Sequence, residues 1–190
     1  MNSLPSIPVP FQWPDPPFNV VLVEPEIPQN TGNIARLCAA TGSILHLVGP
    51  LGFQLTSSHL KRSGLDYWKS VKLNRYLNWE EFDQSREATG PSRRWYLSTK
   101  GRIPYTAAEF RAGDSLVFGS ESKGLRADLL KQAGDSVLTV PMQVEHVRSL
   151  NLATTAGIVL YEALRQVQAR KGRRGLPHSP AGLHNDSRHE

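Results

Sequence analysis

Between residues 18 and 169 the apolar positions follow two rhythms. Short unbroken runs, Asn19-Val-Val-Leu-Val23 and Ile44-Leu-His-Leu-Val48, predict strands buried on both faces. Trp95-Tyr-Leu-Ser98, Ser115-Leu-Val-Phe118 and Val137-Leu-Thr-Val140 read the same way. A helix is predicted over 33–40 and stopped by Gly42, and a short one over 127–132. The clearest element is the last. Leu152, Ala156, Val159, Leu160, Ala163, Leu164 and Val167 recur at the spacing of one continuous helical face.

Apolar strands alternating with amphipathic helices predict an α/β fold, a mostly parallel sheet with helices on both faces. Ligands of such sheets sit beyond the carboxyl ends of the strands. That rule directs attention to the loops after Val23, Phe118 and Val140.

Outside this region the composition changes. Residues 1–17 contain Pro5, Pro8, Pro10, Pro14, Pro16 and Pro17, which predicts an extended, poorly ordered arm. Residues 170–190 open with Arg170, Lys171, Arg173 and Arg174 and are otherwise polar and breaker-rich, which predicts a basic flexible tail. The expected domain is therefore 18–169. The net charge of +5 permits a nucleic-acid partner, although this tail carries part of the excess. No stretch reaches the roughly 18 apolar residues of a membrane helix. Residues 1–17 lack a basic patch followed by an apolar run, so they do not read as a signal peptide. The single cysteine, Cys38, lies between Leu37 and Ala39 as a packed helix position, and the cytosol is the expected compartment.

Three loops hold the candidate chemistry. In the first, Asn30, Thr31 and Asn33 offer capping oxygens, Gly32 permits close backbone approach, and Arg36 follows one turn into the predicted helix. Taken alone, Arg36 reads equally as the solvent-facing residue of an amphipathic helix. The second, Gly119-Ser-Glu-Ser-Lys-Gly124, lacks the Gly-Lys-Ser/Thr ending of a phosphate-binding loop and the first glycine of a nucleophile elbow. What remains is a glycine-flanked turn presenting Glu121, suited to wrapping a nucleoside. In the third, Ser149 is a candidate helix cap and Asn151 lies on the first turn, its amide able to face a ligand. The six histidines show no metal-ligand spacing, and no metal is implied; His46, between Leu45 and Leu47, reads as a core or edge residue.

Taken together, Asn30-Thr-Gly-Asn-Ile-Ala-Arg36, Phe118-Gly-Ser-Glu-Ser-Lys-Gly-Leu125, and Pro141-Met142 with Arg148-Ser-Leu-Asn-Leu152 resemble the SPOUT methyltransferases, in their SpoU (TrmH-like) branch. Glu24-Pro-Glu-Ile-Pro28, Gly64-Leu-Asp-Tyr67 and Leu97-Ser-Thr-Lys-Gly101 narrow the resemblance to the branch's small tRNA ribose methyltransferases acting on the anticodon wobble nucleotide. It covers the expected domain and leaves out the arm and the tail.

The resemblance implies a C-terminal trefoil knot, which general topology rules would have argued against. It implies a homodimer whose sites are completed by both protomers, S-adenosylmethionine as methyl donor, and a tRNA ribose 2′-hydroxyl of cytidine or uridine 34 as acceptor. Leu97, Gly119, Val140 and Ser149 match cofactor-contacting positions. Arg36 matches the arginine associated with activating the hydroxyl, and Glu121, Ser149 and Asn151 match polar residues that hold the site and the ribose. Asn30, Asn33, Arg36 and Arg148 are expected to meet RNA. A guanidinium stays protonated through the physiological range, so Arg36 suits phosphate positioning and alkoxide stabilisation better than proton acceptance. Two alternatives stay open: a ribosomal RNA ribose as the target, and a non-catalytic RNA- or nucleotide-binding domain.

Overall fold

The computed structural model describes residues 11–54, 66–88, 93–143 and 145–175. Among the described residues seven strands form one sheet: β1 (Asn19–Val23), β2 (Ile44–Val48), β3 (Lys72–Tyr76), β4 (Arg94–Leu97), β5 (Ile103–Pro104), β6 (Ser115–Phe118) and β7 (Val137–Thr139). Every pairing is parallel, in the order β3-β2-β1-β6-β4-β7-β5. Among the described residues four α-helices accompany it: α1 (Pro28–Thr41), α2 (Trp79–Ala88), α3 (Ala127–Ala133) and α4 (Leu152–Gly175). The expected α/β fold with a parallel sheet is the one observed.

Alternation along the central strands divides the core between the two faces. Val20 and Leu22 of β1 join Leu45, Leu47, Leu116 and Phe118 under α1 and α4. Val21 and Val23 join Val48 and Val117 on the opposite face, beneath Trp79 and Phe82 of α2 and Leu129 of α3. The stripe of α4 is buried as its spacing predicts, from Ala156 through Val159, Leu160, Ala163 and Leu164 to Val167. Burial of a full aliphatic side chain contributes roughly 1.5–3 kcal/mol, so this stripe is a principal tie between the last helix and the sheet. Cys38 is fully buried, which pushes its thiol up to about 12 and leaves it unreactive at neutral pH.

Several boundaries differ from expectation. Helix α1 begins at Pro28, five residues before the predicted start, and ends as predicted at Gly42, whose φ of 69° is left-handed. Strands β3 and β5 and helix α2 were not expected. Phe11 of the N-terminal arm packs against the α1–α4 core, Pro14 is buried, and the Gln12 amide donates to Gln168 of α4 at 3.3 Å. Residues 11–17 are thus part of the packed structure, because Phe11 and Pro14 supply apolar surface that a proline-rich reading overlooks. Helix α4 runs to Gly175, beyond the expected end at 169, and Arg170 donates to the Phe110 carbonyl at 2.7 Å. Gly64 and Leu65 of the Gly-Leu-Asp-Tyr segment lie outside the described residues.

Among the described residues no helix is long and apolar enough to cross a membrane.

Candidate active site

The sheet changes direction between β1 and β6: β2 and β3 extend from one side of β1, while β6, β4, β7 and β5 extend from the other. Loops leaving such a switch point diverge to opposite faces and leave a crevice between them. Here the loops after β1 and β6 are tied across it by two carboxylates. Glu121 accepts the Glu26 amide at 2.8 Å, the Ile27 amide at 3.3 Å and Asn30 Nδ2 at 2.9 Å. In the other direction, Glu26 accepts the Ser122 amide at 2.9 Å and its hydroxyl at 2.6 Å. These bonds hold the Glu26 carboxyl below the ordinary carboxylate range, helped by the charge of Lys123.

This arrangement explains the early start of α1. Ile27, its N-cap, is extended and has no side-chain cap of its own, and Pro28 opens the first turn without requiring a donor partner. Glu121, from a loop 94 residues away, supplies the acceptor for the Ile27 amide and places its negative charge at the helix amino end. Asn30, Thr31, Gly32 and Asn33 are therefore helical, not loop residues or caps. Among the described residues, no atom outside the backbone of α1 itself lies within 4 Å of where a Gly32 Cβ would stand, so no packed neighbour within the chain requires a glycine there.

The turn after β6 owes its shape to its flanking glycines. A Cβ on Gly119 would stand 2.1 Å from the carbonyl carbon of Gly124, and Gly124 itself has a φ of 69°. The Gly124 amide closes the turn on the Ser120 carbonyl at 2.9 Å. In the third loop Asn151, not Ser149, caps α4: its Oδ1 accepts the amides of Ala153 at 2.9 Å and Thr154 at 3.2 Å. Ser149 comes two residues too early to reach those donors. The Asn151 amide nitrogen is then spent on Asn30 Oδ1 at 2.9 Å. Asn30, 5% exposed, engages both ends of its amide inside the chain, so the structure makes it an internal bracket where an RNA contact was expected.

A cavity of about 550 Å³ opens beyond the carboxyl ends of β4, β6 and β7. Leu97, Gly119, Val140 and Ser149, all four expected cofactor positions, line it, as do Glu121, Asn151 and Arg148. Its apolar wall includes Leu125, Leu150 and Leu152, and Lys100 and Lys123 bring positive charge to it. Sequence reasoning missed Lys100, Lys123 and Glu26 as contributors. The signal available for Glu26 was its place in the Glu24-Pro-Glu-Ile-Pro28 segment. Arg36 and Asn33 are exposed on α1 and do not line this chain's cavity. Since α1 starts at Pro28, Arg36 lies about 12 Å along the helix from its first residue, where one turn was expected.

His46 is a core residue, as its strand position suggested. Asn19 Nδ2 donates to the Gly113 carbonyl, which turns Asn19 Oδ1 towards His46 Nε2 at 2.9 Å. Nε2 therefore carries the proton, and Nδ1 accepts from the Tyr76 hydroxyl at 3.1 Å. Burial, aided by the charge of Arg86, pulls the His46 pKa down to about 4. Among the described residues there is no group of three or more His, Cys, Asp or Glu side chains placed to hold a metal.

An all-parallel sheet with a nucleoside-sized cavity at its carboxyl edge, walled by backbone turns and apolar side chains, defines a nucleotide- or nucleoside-binding α/β scaffold. The chain belongs to the SpoU rRNA Methylase family, whose profile matches residues 17–161. A tRNA (cytidine(34)-2′-O)-methyltransferase of Saccharophagus degradans is 47% identical over 153 residues, covering 79% of this chain and 96% of the relative. A structure described as giving insights into the 2-OH methylation of C/U34 on tRNA superposes with a TM-score of 0.72 at 45% identity, covering 78% of this chain and 95% of the other. An AdoMet-bound rRNA methyltransferase of Sinorhizobium meliloti matches with a TM-score of 0.69 at 27% identity, covering 78% of this chain and 56% of the other.

Proposed function

We propose that this protein transfers a methyl group from S-adenosylmethionine to the ribose 2′-hydroxyl of nucleotide 34, a cytidine or uridine, in the anticodon of tRNA. The observation carrying this reading is the convergence of the three SpoU-type segments on one cavity through the Glu121–Asn30–Asn151 hydrogen bonds. The match to the tRNA relative over nearly its whole length favours tRNA over ribosomal RNA.

The cavity suits the proposed cofactor. Its leucine and valine walls can enclose an adenine, strand-end backbone can read the nucleoside edges, and Lys100 or Lys123 can meet a carboxylate. When bound, S-adenosylmethionine supplies an electrophilic methyl on a sulfonium. The protein's part is alignment and charge. Leu97, Gly119, Val140 and Ser149 hold the cofactor. Glu121 and Asn151 fix the loops, and Ser149 faces the ribose. Arg36, with Asn33 and Arg148, positions RNA phosphate, and its guanidinium stabilises negative charge developing on the 2′-oxygen. No metal takes part.

Three further elements belong to this reading. The chain carries a C-terminal trefoil knot that forms the cofactor pocket. The enzyme is a homodimer, Arg36 of one protomer serving the cavity of its partner, which agrees with its position outside its own chain's cavity. It acts in the cytosol on tRNA. Incubation with unmodified tRNA and S-adenosylmethionine, followed by mass spectrometry of the nuclease digest, should place one methyl on the ribose of nucleotide 34. A methyl on ribosomal RNA instead would support the ribosomal alternative, and stoichiometric cofactor binding without turnover on either RNA would support a binding domain.

A further inference from the structure

Glu26 does not line the cavity, yet both of its carboxylate oxygens are committed to a turn that does. Oε2 accepts the Ser122 amide at 2.9 Å and Oε1 accepts the Ser122 hydroxyl at 2.6 Å. On its inner side the same turn is held by its own bonds, Gly124 N–H to the Ser120 carbonyl at 2.9 Å and Lys123 N–H to the Ser120 hydroxyl at 3.3 Å. The outer side rests on Glu26. Its backbone cannot drift, because Gly52 presses against it: a Cβ at Gly52 would stand 2.8 Å from Glu26 Cα, and the Gly52 amide donates to the Pro25 carbonyl at 2.9 Å. The Glu26 amide is also the donor that Glu121 accepts. One anchored residue therefore holds two successive residues of the turn, Glu121 through its backbone and Ser122 through its side chain.

We propose that Glu26 is a positioning residue for cofactor binding: through Ser122 it keeps the 121–124 turn in the shape that receives S-adenosylmethionine. The inference rests on the cofactor reading above. Ser122, Lys123 and Gly124 all line the cavity, and a turn relaxed by even one ångström presents its backbone groups out of register. Charge-assisted bonds to a carboxylate are stronger than neutral ones, so their loss should be felt in cofactor affinity. Glu26 touches no reacting atom, and a change in its side chain leaves the Glu26 amide free to serve Glu121.

Three measurements on the full-length protein test this. In the absence of cofactor, hydrogen exchange at the amides of residues 122–124 should be faster in Glu26→Ala than in the native protein. By calorimetry, the S-adenosylmethionine Kd should rise about 10-fold in Glu26→Ala, and less in Glu26→Gln, which keeps one acceptor. In tRNA methylation the cofactor KM should rise with the Kd while kcat stays within about 3-fold, a split that a merely structural role would not produce. Adding Ser122→Ala to Glu26→Ala should cost nothing further, since Glu26→Ala has already removed the bond that the Ser122 hydroxyl makes. Unchanged exchange at 122–124, or a cofactor Kd within 2-fold of native, overturns the proposal. Should Glu26→Ala not fold, Ser122→Ala alone should still weaken cofactor binding measurably, and native affinity there overturns it too. A native protein that binds no S-adenosylmethionine would refute the cofactor reading, a result distinct from slow exchange in Glu26→Ala, which would refute the clasp.

Discussion

Asn151 donates from Nδ2 to Oδ1 of Asn30 at 2.9 Å, joining residues 121 positions apart. Asn30 passes the connection on, donating from its own Nδ2 to Glu121 at 2.9 Å. The amino ends of α1 and α4 and the turn after β6 are thereby registered against one another at the cavity. Each amide has one donor and one acceptor in use, which fixes both orientations.

Asn30→Ala removes both bonds, each contributing about 0.5–1.5 kcal/mol, while the Asn151 amide, on an exposed residue, is left to water. Urea unfolding should show a loss of that order, and methyl transfer should fall by more than about 10-fold because three loops lose register together. Native activity in Asn30→Ala would mean the loops hold their places without the bracket. Asn30→Asp should be worse, since it sets a carboxylate against Glu121.

Arg36→Ala should abolish methyl transfer while leaving cofactor affinity within a few-fold of native. Arg36 is exposed on α1 and lines no part of its own chain's cavity, so its removal leaves the cofactor walls intact. Calorimetry with S-adenosylmethionine separates the two effects. An equal loss of cofactor binding would place Arg36 in the cofactor site.

Stability should decline as pH falls from neutrality because of His46, which is 2% exposed. Its folded pKa is about 4 against an ordinary 6.5, so the unfolded chain binds the extra proton between those values. The neutral form's contribution is therefore complete above pH 6.5 and is lost progressively as pH falls towards 4, amounting to roughly 3 kcal/mol at most. Urea midpoints measured from pH 7.5 to 4.5 should show the decline, and His46→Gln should flatten that part of the curve. A native profile that is flat in this window contradicts the buried, neutral imidazole.

The strands with continuous apolar runs, β1, β2 and β6, were legible in the sequence to the residue, because strands buried on both faces carry that pattern in their own composition. Strand β3, Lys72-Leu-Asn-Arg-Tyr76, lies at the sheet edge and is largely exposed, so it has no such run. Helix α2 shows little beyond Trp79 and Phe82 on its buried side. The start of α1 was hidden for another reason: the group that caps it, Glu121, is remote in sequence. All four expected cofactor positions meet at the cavity, but Asn30 and Asn151 serve as structural brackets first, which depends on pairings no local pattern contains.

The arm offers a test of packing. A chain beginning at residue 18 should be less stable than one beginning at residue 11 by about 1–3 kcal/mol, since it loses the packed Phe11 and the buried Pro14. Thermal unfolding of the two truncations compares them directly. Equal stability would show that the arm's contacts contribute nothing net.

The proposed sharing of sites between protomers is open to a complementation test. Tyr161 of α4 is 55% exposed and Ile158 beside it is half-buried, so the outer side of this helix offers apolar surface beyond its buried stripe. A two-fold interface built there would be self-complementary and could bring α1 of one protomer towards the cavity of the other. Two inactive proteins probe this. Arg36→Ala keeps the cofactor cavity, whereas Gly119→Ala keeps the arginine and loses the cavity, because its methyl would overlap Gly124 at 2.1 Å. If each site combines the cavity of one chain with Arg36 of the other, a mixed dimer contains one intact site. Equal mixing with full exchange should then restore about a quarter of native activity, as half the dimers are mixed and each has one of its two sites working. If each chain uses its own arginine, every site in the mixed dimer carries a lesion and no activity returns. Differently tagged subunits followed by native mass spectrometry would establish that exchange has occurred, so that silence in the assay can be read as separate sites.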